Sequence, residues 1–373
     1  MRDGEPTVSR GHILALRLYD VSYEIDLKLA EQLWSRRAGR DSARGRLAST
    51  PPKAVSFGVP PLTLDLGSRS IEIDGLMVAA QASVRLYDFG IAAFALRLPV
   101  ETMSWEIFSR LANATDRCVG IAAATDVWQV LLATLKGEIG EALLRPTDMP
   151  IQEDYLIATV DAFDTPIDAV ALLQRIDLVP ILSGRDRPLS EGARHDLLHH
   201  RFSYYPDDLV VITWDRAFIY EPLGDTDVAD VLQMANAQLL EMRIYDELLD
   251  AELPRMRDML DAAVRRRNLL AARRYASLAR RLLTLVAEVS ELTERVDNAL
   301  QVTEDVYLAR VYAAAMELFR VPNVTAAVDR KLAIIRETYT ALHSEAAGVR
   351  AEVLEIAVLV LIALEVVLSL IHP

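Results

Sequence analysis

The last stretch of the chain constrains it most. Residues 353–371 read VLEIAVLVLIALEVVLSLI, almost entirely Leu, Ile, Val and Ala. About nineteen such residues is the length that spans a bilayer core. A helix apolar on every face must be buried in something, protein or lipid. Two carboxylates interrupt the run, Glu355 near its start and Glu365 near its middle. On insertion scales about fourteen aliphatic residues contribute on the order of −4 to −8 kcal/mol, and the two acids return on the order of +3 to +6 kcal/mol. The balance is close to zero, so two readings stand. One is a C-terminal membrane anchor, and the other is a buried terminal helix of a soluble bundle or oligomer. Arg350 precedes the run and no Lys or Arg follows it. That suits an anchor whose bulk stays on the cytoplasmic side. The expected localisation is therefore membrane-associated with the head in the cytoplasm, the alternative being cytoplasmic and soluble. Glu355 and Glu365 are the expected contact residues of this tail with a partner or with lipid.

The region leading into the tail reads as helix, with almost no Gly or Pro. Val228, Leu232, Ala235, Leu239, Met242, Asp246, Leu249, Leu253, Met256 and Leu260 alternate spacings of four and three, an a/d heptad with one acidic intruder, Asp246. A second register runs through Tyr275, Leu278, Leu282, Leu285, Val289, Leu292, Val296 and Ala299. Narrow apolar seams of this kind pack on each other or on copies of themselves, so a homo-oligomer is expected. Pro254 is expected to kink or break the first helix. Further helices are expected over 304–320 and 325–345, with Gly348 separating the second from the tail. Residues 226–347 thus read as a helical, coiled-coil-like stalk, and 349–371 as a C-terminal hydrophobic helix, the membrane anchor of the first reading.

The first part of the chain mixes periods. Strands are expected over 12–21, 54–57, 62–66, 71–78 and 153–163, and across the long alternating run 82–98, where Gly90 marks a bulge or turn. Helical spacing covers 23–37, 103–114, 126–144, 167–182 and 190–200. Residues 38–53, rich in Arg, Ser, Gly and Pro, read as a loop. Short strands at 202–205, 209–214 and 217–220 close the region, with a hairpin turn at Asp215-Arg216. Strands and helices interspersed without a βαβ rhythm point to an α+β head with a mixed sheet over residues 10–222. Arg-Leu-Tyr-Asp occurs twice, at 17–20 and 85–88, and hints at a duplicated strand–helix unit.

Composition closes off several function classes. A net charge of −14 argues against nucleic-acid binding through a general basic surface. The single cysteine, Cys118, excludes an intramolecular disulfide and a Cys-cluster metal site. The first twelve residues, MRDGEPTVSRGH, contain no apolar segment, so no signal peptide is expected.

Two constellations are candidates for chemistry. Glu191, His195 and His199 are spaced four apart, and on one helix they share a face, as in a metal-binding helix. The intervening residues do not make a His-Glu-x-x-His motif, and an ordinary amphipathic helix has the same spacing. Arg266, Arg273 and Arg280 repeat every seven residues, as do Arg267, Arg274 and Arg281. This stripe suits pairing with acids of a neighbouring helix or a solvated face. The sharper reading is contact with anionic lipid headgroups or RNA phosphate. There is no Walker loop, dinucleotide fingerprint or Gly-x-Ser-x-Gly elbow. No catalytic residue and no cofactor are expected. The preferred reading is a non-catalytic, membrane-tethered scaffold that oligomerises through its helical half. The alternative is a soluble metal- or nucleotide-dependent enzyme with its site in the α+β head.

Several segments, in order, resemble one family. They are residues 87–94 (Tyr-Asp-Phe-Gly-Ile-Ala-Ala-Phe), 235–241 (Ala-Asn-Ala-Gln-Leu-Leu-Glu) followed by Tyr245, 331–339, and Leu354-Glu355 leading into Leu-Ile-Ala-Leu-Glu-Val at 361–366. The ensemble resembles the family named for "required for meiotic nuclear division", also called YagE-like, whose domain has no assigned biochemical function. The resemblance implies a membrane-associated, oligomer-forming protein. Eukaryotic relatives in that family support translation in mitochondria. It implies no catalytic residue in this chain.

Overall fold

In the computed structural model the described residues are 6–38, 42–44, 55–147, 151–185, 187–264, 300–302 and 306–371, with 277, 280, 282–284, 286–287 and 289–290. They fall into two compact units. The first comprises residues 1–241 and 295–322, and the second 242–294 and 323–373. The expected division at 222–226 and the unit boundary at 241 therefore differ, and a piece near residue 300 returns to the first unit.

The first unit is built on a nine-stranded sheet in the order β10-β11-β12-β9-β1-β7-β6-β5-β3. Its strands are β1 (Thr7–Asp20), β3 (Ser42–Arg44), β5 (Leu62–Ile73), β6 (Leu76–Leu86), β7 (Ile91–Ser104), β9 (Gln152–Phe163), β10 (Arg201–Phe202), β11 (Leu209–Ile212) and β12 (Arg216–Tyr220). Only β12 against β9 is parallel; the other pairings are antiparallel. Two small ladders lie apart from it. One pairs β2 (Ser22–Ile25) with β8 (Leu143–Pro146), and the other pairs β4 (Val55–Phe57) with β13 (Leu300–Val302). The α+β class with a mixed sheet is thus as the sequence suggests.

Both faces of the sheet are apolar, and period-two alternation separates them. One face carries Ile13, Ala15 and Tyr19 of β1, Phe94 and Leu96 of β7, and Leu156 and Ala158 of β9. Four helices pack there: α1 (Leu27–Ala38), α2 (Trp105–Val119), α3 (Val127–Ile139) and α4 (Ala169–Arg175). They supply Trp34, Phe108, Leu131 and Leu172, all buried in the same cluster. The short helices α5 (Val179–Ser183) and α6 (Glu191–Leu197) follow α4. The opposite face carries Leu16, Leu18, Ala93, Ala95, Tyr155 and Ile157, also buried. It meets the start of α7 (Asp227–Val264) through Arg85–Asp230 and the end of α8 (Val306–Leu318) through the Tyr155–Phe319 ring contact.

The sequence reading needs three corrections here. Residues 71–78 are not one strand. Asp74 and Gly75 both have positive φ, 47° and 81°, and turn β5 into β6 as a tight hairpin. The two Arg-Leu-Tyr-Asp copies are not a duplicated unit. The copy on β1 leads into β2 and α1, whereas the copy at the end of β6 leads into a turn and β7. Their arginines also go to opposite faces. Arg17 donates to the Val119 carbonyl at 3.1 Å, and Arg85 pairs with Asp230 at 2.8 Å.

The third correction concerns the helices. α7 continues through Pro254, and α9 (Val321–Ile371) is continuous through Gly348. A glycine inside a helix costs only about 1 kcal/mol relative to alanine, too little to end one this long. Pro322 sits in the first turn of α9, where a missing N–H is tolerated. The expected separate C-terminal hydrophobic helix is therefore the last part of α9. Among the described residues no helix is long and apolar enough to cross a membrane, so the expected transmembrane span is unsupported.

Within the second unit a narrow seam does appear. Met242, Tyr245, Leu249 and Met256 of α7 are buried, as are Leu282, Val286 and Val289, and Val328, Leu332 and Ile335 of α9. The acidic intruder Asp246 has a partner: Lys331 Nζ reaches Asp246 Oδ1 at 2.6 Å and Asp250 Oδ1 at 2.7 Å. In the first unit the heptad reading of α7 gives way, because residues 231–238 are buried on every side.

Gly90 sets the turn between β6 and β7. Its φ is 95°, its N–H bonds the Tyr87 carbonyl at 3.2 Å, and its own carbonyl accepts from Val21 N at 3.0 Å. A Cβ there would collide with the Ser22 carbonyl oxygen. Gly90→Ala is expected to destabilise the first unit by at least about 1–3 kcal/mol through backbone strain alone. Urea unfolding followed by tryptophan fluorescence reads this unit, since Trp34, Trp105, Trp128 and Trp214 all lie in it. An unchanged midpoint would mean that the turn relaxes freely.

Candidate functional site

The candidate site lies at the β10 edge of the sheet. α6 runs through His199 and His200 directly into β10, whose Arg201 and Phe202 sit opposite Val211 and Val210. Phe202 follows Arg201 on this edge strand, and the Arg310 guanidinium of α8 lies 5.8 Å from its ring centre. A cleft of about 260 Å³ opens here, lined by Glu191, Arg194, His195, Leu198, His199 and Arg201. A second cleft of about 510 Å³ adjoins it through Arg201 and is walled by Ala169, Val170, Leu173, Phe202 and Leu209, with Gln174 and Ser203.

Glu191, His195 and His199 therefore gather in one cleft, but not as a helical metal face. α6 ends at Leu197, so His199 lies in the turn beyond it. The His195 and His199 ring centres are 6.4 Å apart. Two guanidiniums share the cleft and oppose a bound cation. Among the described residues no group of three or more His, Cys, Asp or Glu is placed to hold a metal ion. Arg194 is already engaged, donating to both oxygens of Asp177 at 3.2 Å. That hydrogen bonding raises its pKa further. Burial and neighbouring His199 lower the pKa of His200.

Two polar clusters inside the first unit escaped the sequence reading. On the α2–α5 side Arg216, 5 % exposed, donates to Asn113 Oδ1 at 2.7 Å, the Ile181 carbonyl at 3.2 Å and Asp116 Oδ2 at 2.5 Å. These bonds tie β12 to α2 and α5. On the α7 side Arg85 meets Asp230, and Asn236 Nδ2 donates to the Leu232 carbonyl at 2.9 Å. There the Tyr312 hydroxyl bonds Gln238 Oε1. Burial pushes the Tyr87 phenol up to about 12. It also raises Glu241 well above the carboxylate range, with Asp20 and Asp88 adding to the effect. Segments 87–94 and 235–241 of the family resemblance thus contribute to this buried polar layer.

Asp20 and His12 on β1 give a pH test. Burial raises Asp20 to about 6, against the Thr147 hydroxyl and Lys136, which lower it. Burial and then Arg97 lower His12 to about 4. A raised acid stabilises below its ordinary pKa and loses that contribution as pH rises through the folded value, here from roughly 4 to 6. A lowered base stabilises above about 6.5 and loses it as pH falls towards 4. The two slopes oppose each other between pH 4 and 6. Asp20→Asn is therefore expected to make stability climb more steeply with pH in that window, by up to about 1.4 kcal/mol per unit. Urea midpoints across the window measure this, and identical slopes in both proteins would exclude a buried, proton-holding Asp20.

In the second unit Arg280 is helical and exposed, whereas Arg266, Arg267, Arg273, Arg274 and Arg281 lie outside the described residues. Leu285 of the expected seam does so too. Glu355 and Glu365 are both helical and exposed on α9. Around them Ile356, Val358, Leu359, Val360, Leu361 and Ile362 are also exposed.

Residues 10–226 match the family described as "Uncharacterized protein MJ0711, N-terminal domain". A curated relative, the uncharacterized protein MJ0711 of Methanocaldococcus jannaschii, is 21 % identical over 219 residues, covering 58 % of this chain and 66 % of that protein. The match thus spans just under two thirds of the relative. No solved structure matches the chain. The matched family is a domain without an assigned activity, as the sequence suggests, but it is not the meiotic-nuclear-division, YagE-like family.

Proposed function

This chain belongs to the MJ0711 N-terminal domain family, and from that premise we propose that it is a non-catalytic scaffold. Its head is the matched domain, its helical unit oligomerises, and the apolar end of α9 tethers it to a membrane. The observation that carries this reading is the run Val358–Leu359–Val360–Leu361–Ile362, whose members are 46, 60, 62, 63 and 52 % exposed. Successive helical residues point about 100° apart, so five in a row leave no polar face. A single contact stripe suffices for a helix pair, but an apolar surface all round needs surrounding lipid or a bundle of neighbours. The seam of Met242, Tyr245, Leu249 and Met256 is already filled within the single chain, so assembly between copies would rest on the exposed apolar run of α9.

The test is fractionation of cells expressing the full chain, with the membranes washed in carbonate. The proposal expects the protein in the washed membranes. Recovery wholly in the soluble fraction would remove the tether and leave a soluble assembly or an enzyme built on the head. Metal analysis of the purified protein addresses that rival, because a stoichiometric transition metal would favour a metalloenzyme.

A further inference from the structure

We propose that the paired clefts around Arg201 bind an amphipathic organic anion, an oxyanion head on an apolar body. The inference stands apart from the tether and concerns only the first unit. Arg201 lines both clefts, the polar one beside His195 and His199 and the apolar one beside Val170, Leu173 and Leu209. Arg194 is committed to Asp177, whereas the Arg201 side chain has no hydrogen-bond or ion-pair partner among the described residues. An exposed guanidinium fork beside an open apolar cleft matches a carboxylate or phosphate bidentately. The apolar cleft, about 510 Å³, lies in the size range of small-molecule sites.

Two further observations point the same way. Val170 is 69 % exposed on α4 and lines the apolar cleft. It gives an apolar ligand body a surface to lie against next to Leu173 and Leu209. The chain carries a net charge of −14, yet residues 185–201 hold four arginines against three acids, Asp186, Glu191 and Asp196, with three histidines, His195, His199 and His200. The overall field repels anions, so an anion is held only where cationic donors are concentrated. The single acid lining the polar cleft is Glu191. Carboxylate and phosphate heads share the required chemistry, and the probes separate them.

The experiment is calorimetric titration of the full chain with octanoate and octyl phosphate. Octanol, acetate and inorganic phosphate serve as probes lacking the head or the body. The proposal expects one or both amphipathic anions to bind at least about tenfold more tightly than any of the three controls. Arg201→Gln is expected to remove about that tenfold for the anions and to leave octanol unaffected. Val170→Ser should weaken the anions as well, through the body, without adding charge. Octanol binding as tightly as octyl phosphate, or anion binding unchanged in Arg201→Gln, would overturn the proposal. No anion binding at millimolar concentration overturns it too. None of these results bears on whether the chain fractionates with membranes.

Discussion

Asp230→Ala is expected to destabilise the first unit by about 3–5 kcal/mol, a large part of the roughly 5–15 kcal/mol that holds a domain folded. The pair it breaks is short, 2.8 Å, and its side chains are only 16 % and 13 % exposed. Burial disfavours charge on both partners: Asp230 helps hold the Arg85 pKa above its ordinary value, while at Asp230 burial outweighs the lowering by Arg85 and its pKa is raised. Asp230 lies in the first turn of α7, where the helix dipole also favours an anion. Without it Arg85 is left charged and unpaired between the sheet and the helix. The double variant Arg85→Met with Asp230→Leu removes both charges and is expected to recover much of the loss, as buried ion pairs replaced by apolar groups often do. Urea midpoints by tryptophan fluorescence decide it. A single variant within about 0.5 kcal/mol of the native chain would mean that the pair is wet.

The parts of the fold legible in the sequence were those set by local pattern. The expected strand 153–163 is β9 almost residue for residue, because alternation and an apolar stretch coincide there. The turn at Gly90 was legible because a glycine interrupts a long apolar run. The hairpin at Asp74-Gly75 carried an equally clear signal, two residues suited to positive φ, but the apolar residues around it dominated the strand reading. Tertiary context overrode local rules elsewhere. Gly348 did not end α9, and the heptad of residues 228–239 did not predict a helix segment buried all round.

The candidate site was half legible for the same reason. Spacing singles out Glu191, His195 and His199, and they do share a cleft. The residue that changes its chemistry, Arg201, comes from the next element and turns a cation-binding pattern into a cationic cleft. No periodicity marks it, although its place in an Arg- and His-rich segment of an acidic chain was a usable signal. The Arg85–Asp230 and Arg216–Asp116 pairs join residues 145 and 100 positions apart, and spacing rules do not reach that far.

The second large effect lies in α9. Val360→Asp with Leu361→Asp places two carboxylates in the middle of the exposed apolar run, and each costs on the order of 3 kcal/mol at depth in a bilayer. Both side chains are more than 60 % exposed, at 62 and 63 %, so the head should keep its native melting curve. In the proposed tether, residues 353–371 also hold Glu355 and Glu365, so the balance for insertion is close to zero. Two further acids are then expected to abolish association rather than weaken it slightly.

The direct measurement is flotation of the purified full chain with phospholipid vesicles on a density gradient, native beside Val360→Asp/Leu361→Asp. The account predicts that the native chain rises with the vesicles and that the double variant stays at the bottom with an unchanged tryptophan melting curve. A native chain that stays at the bottom, or a variant that floats as well as the native chain, would contradict it.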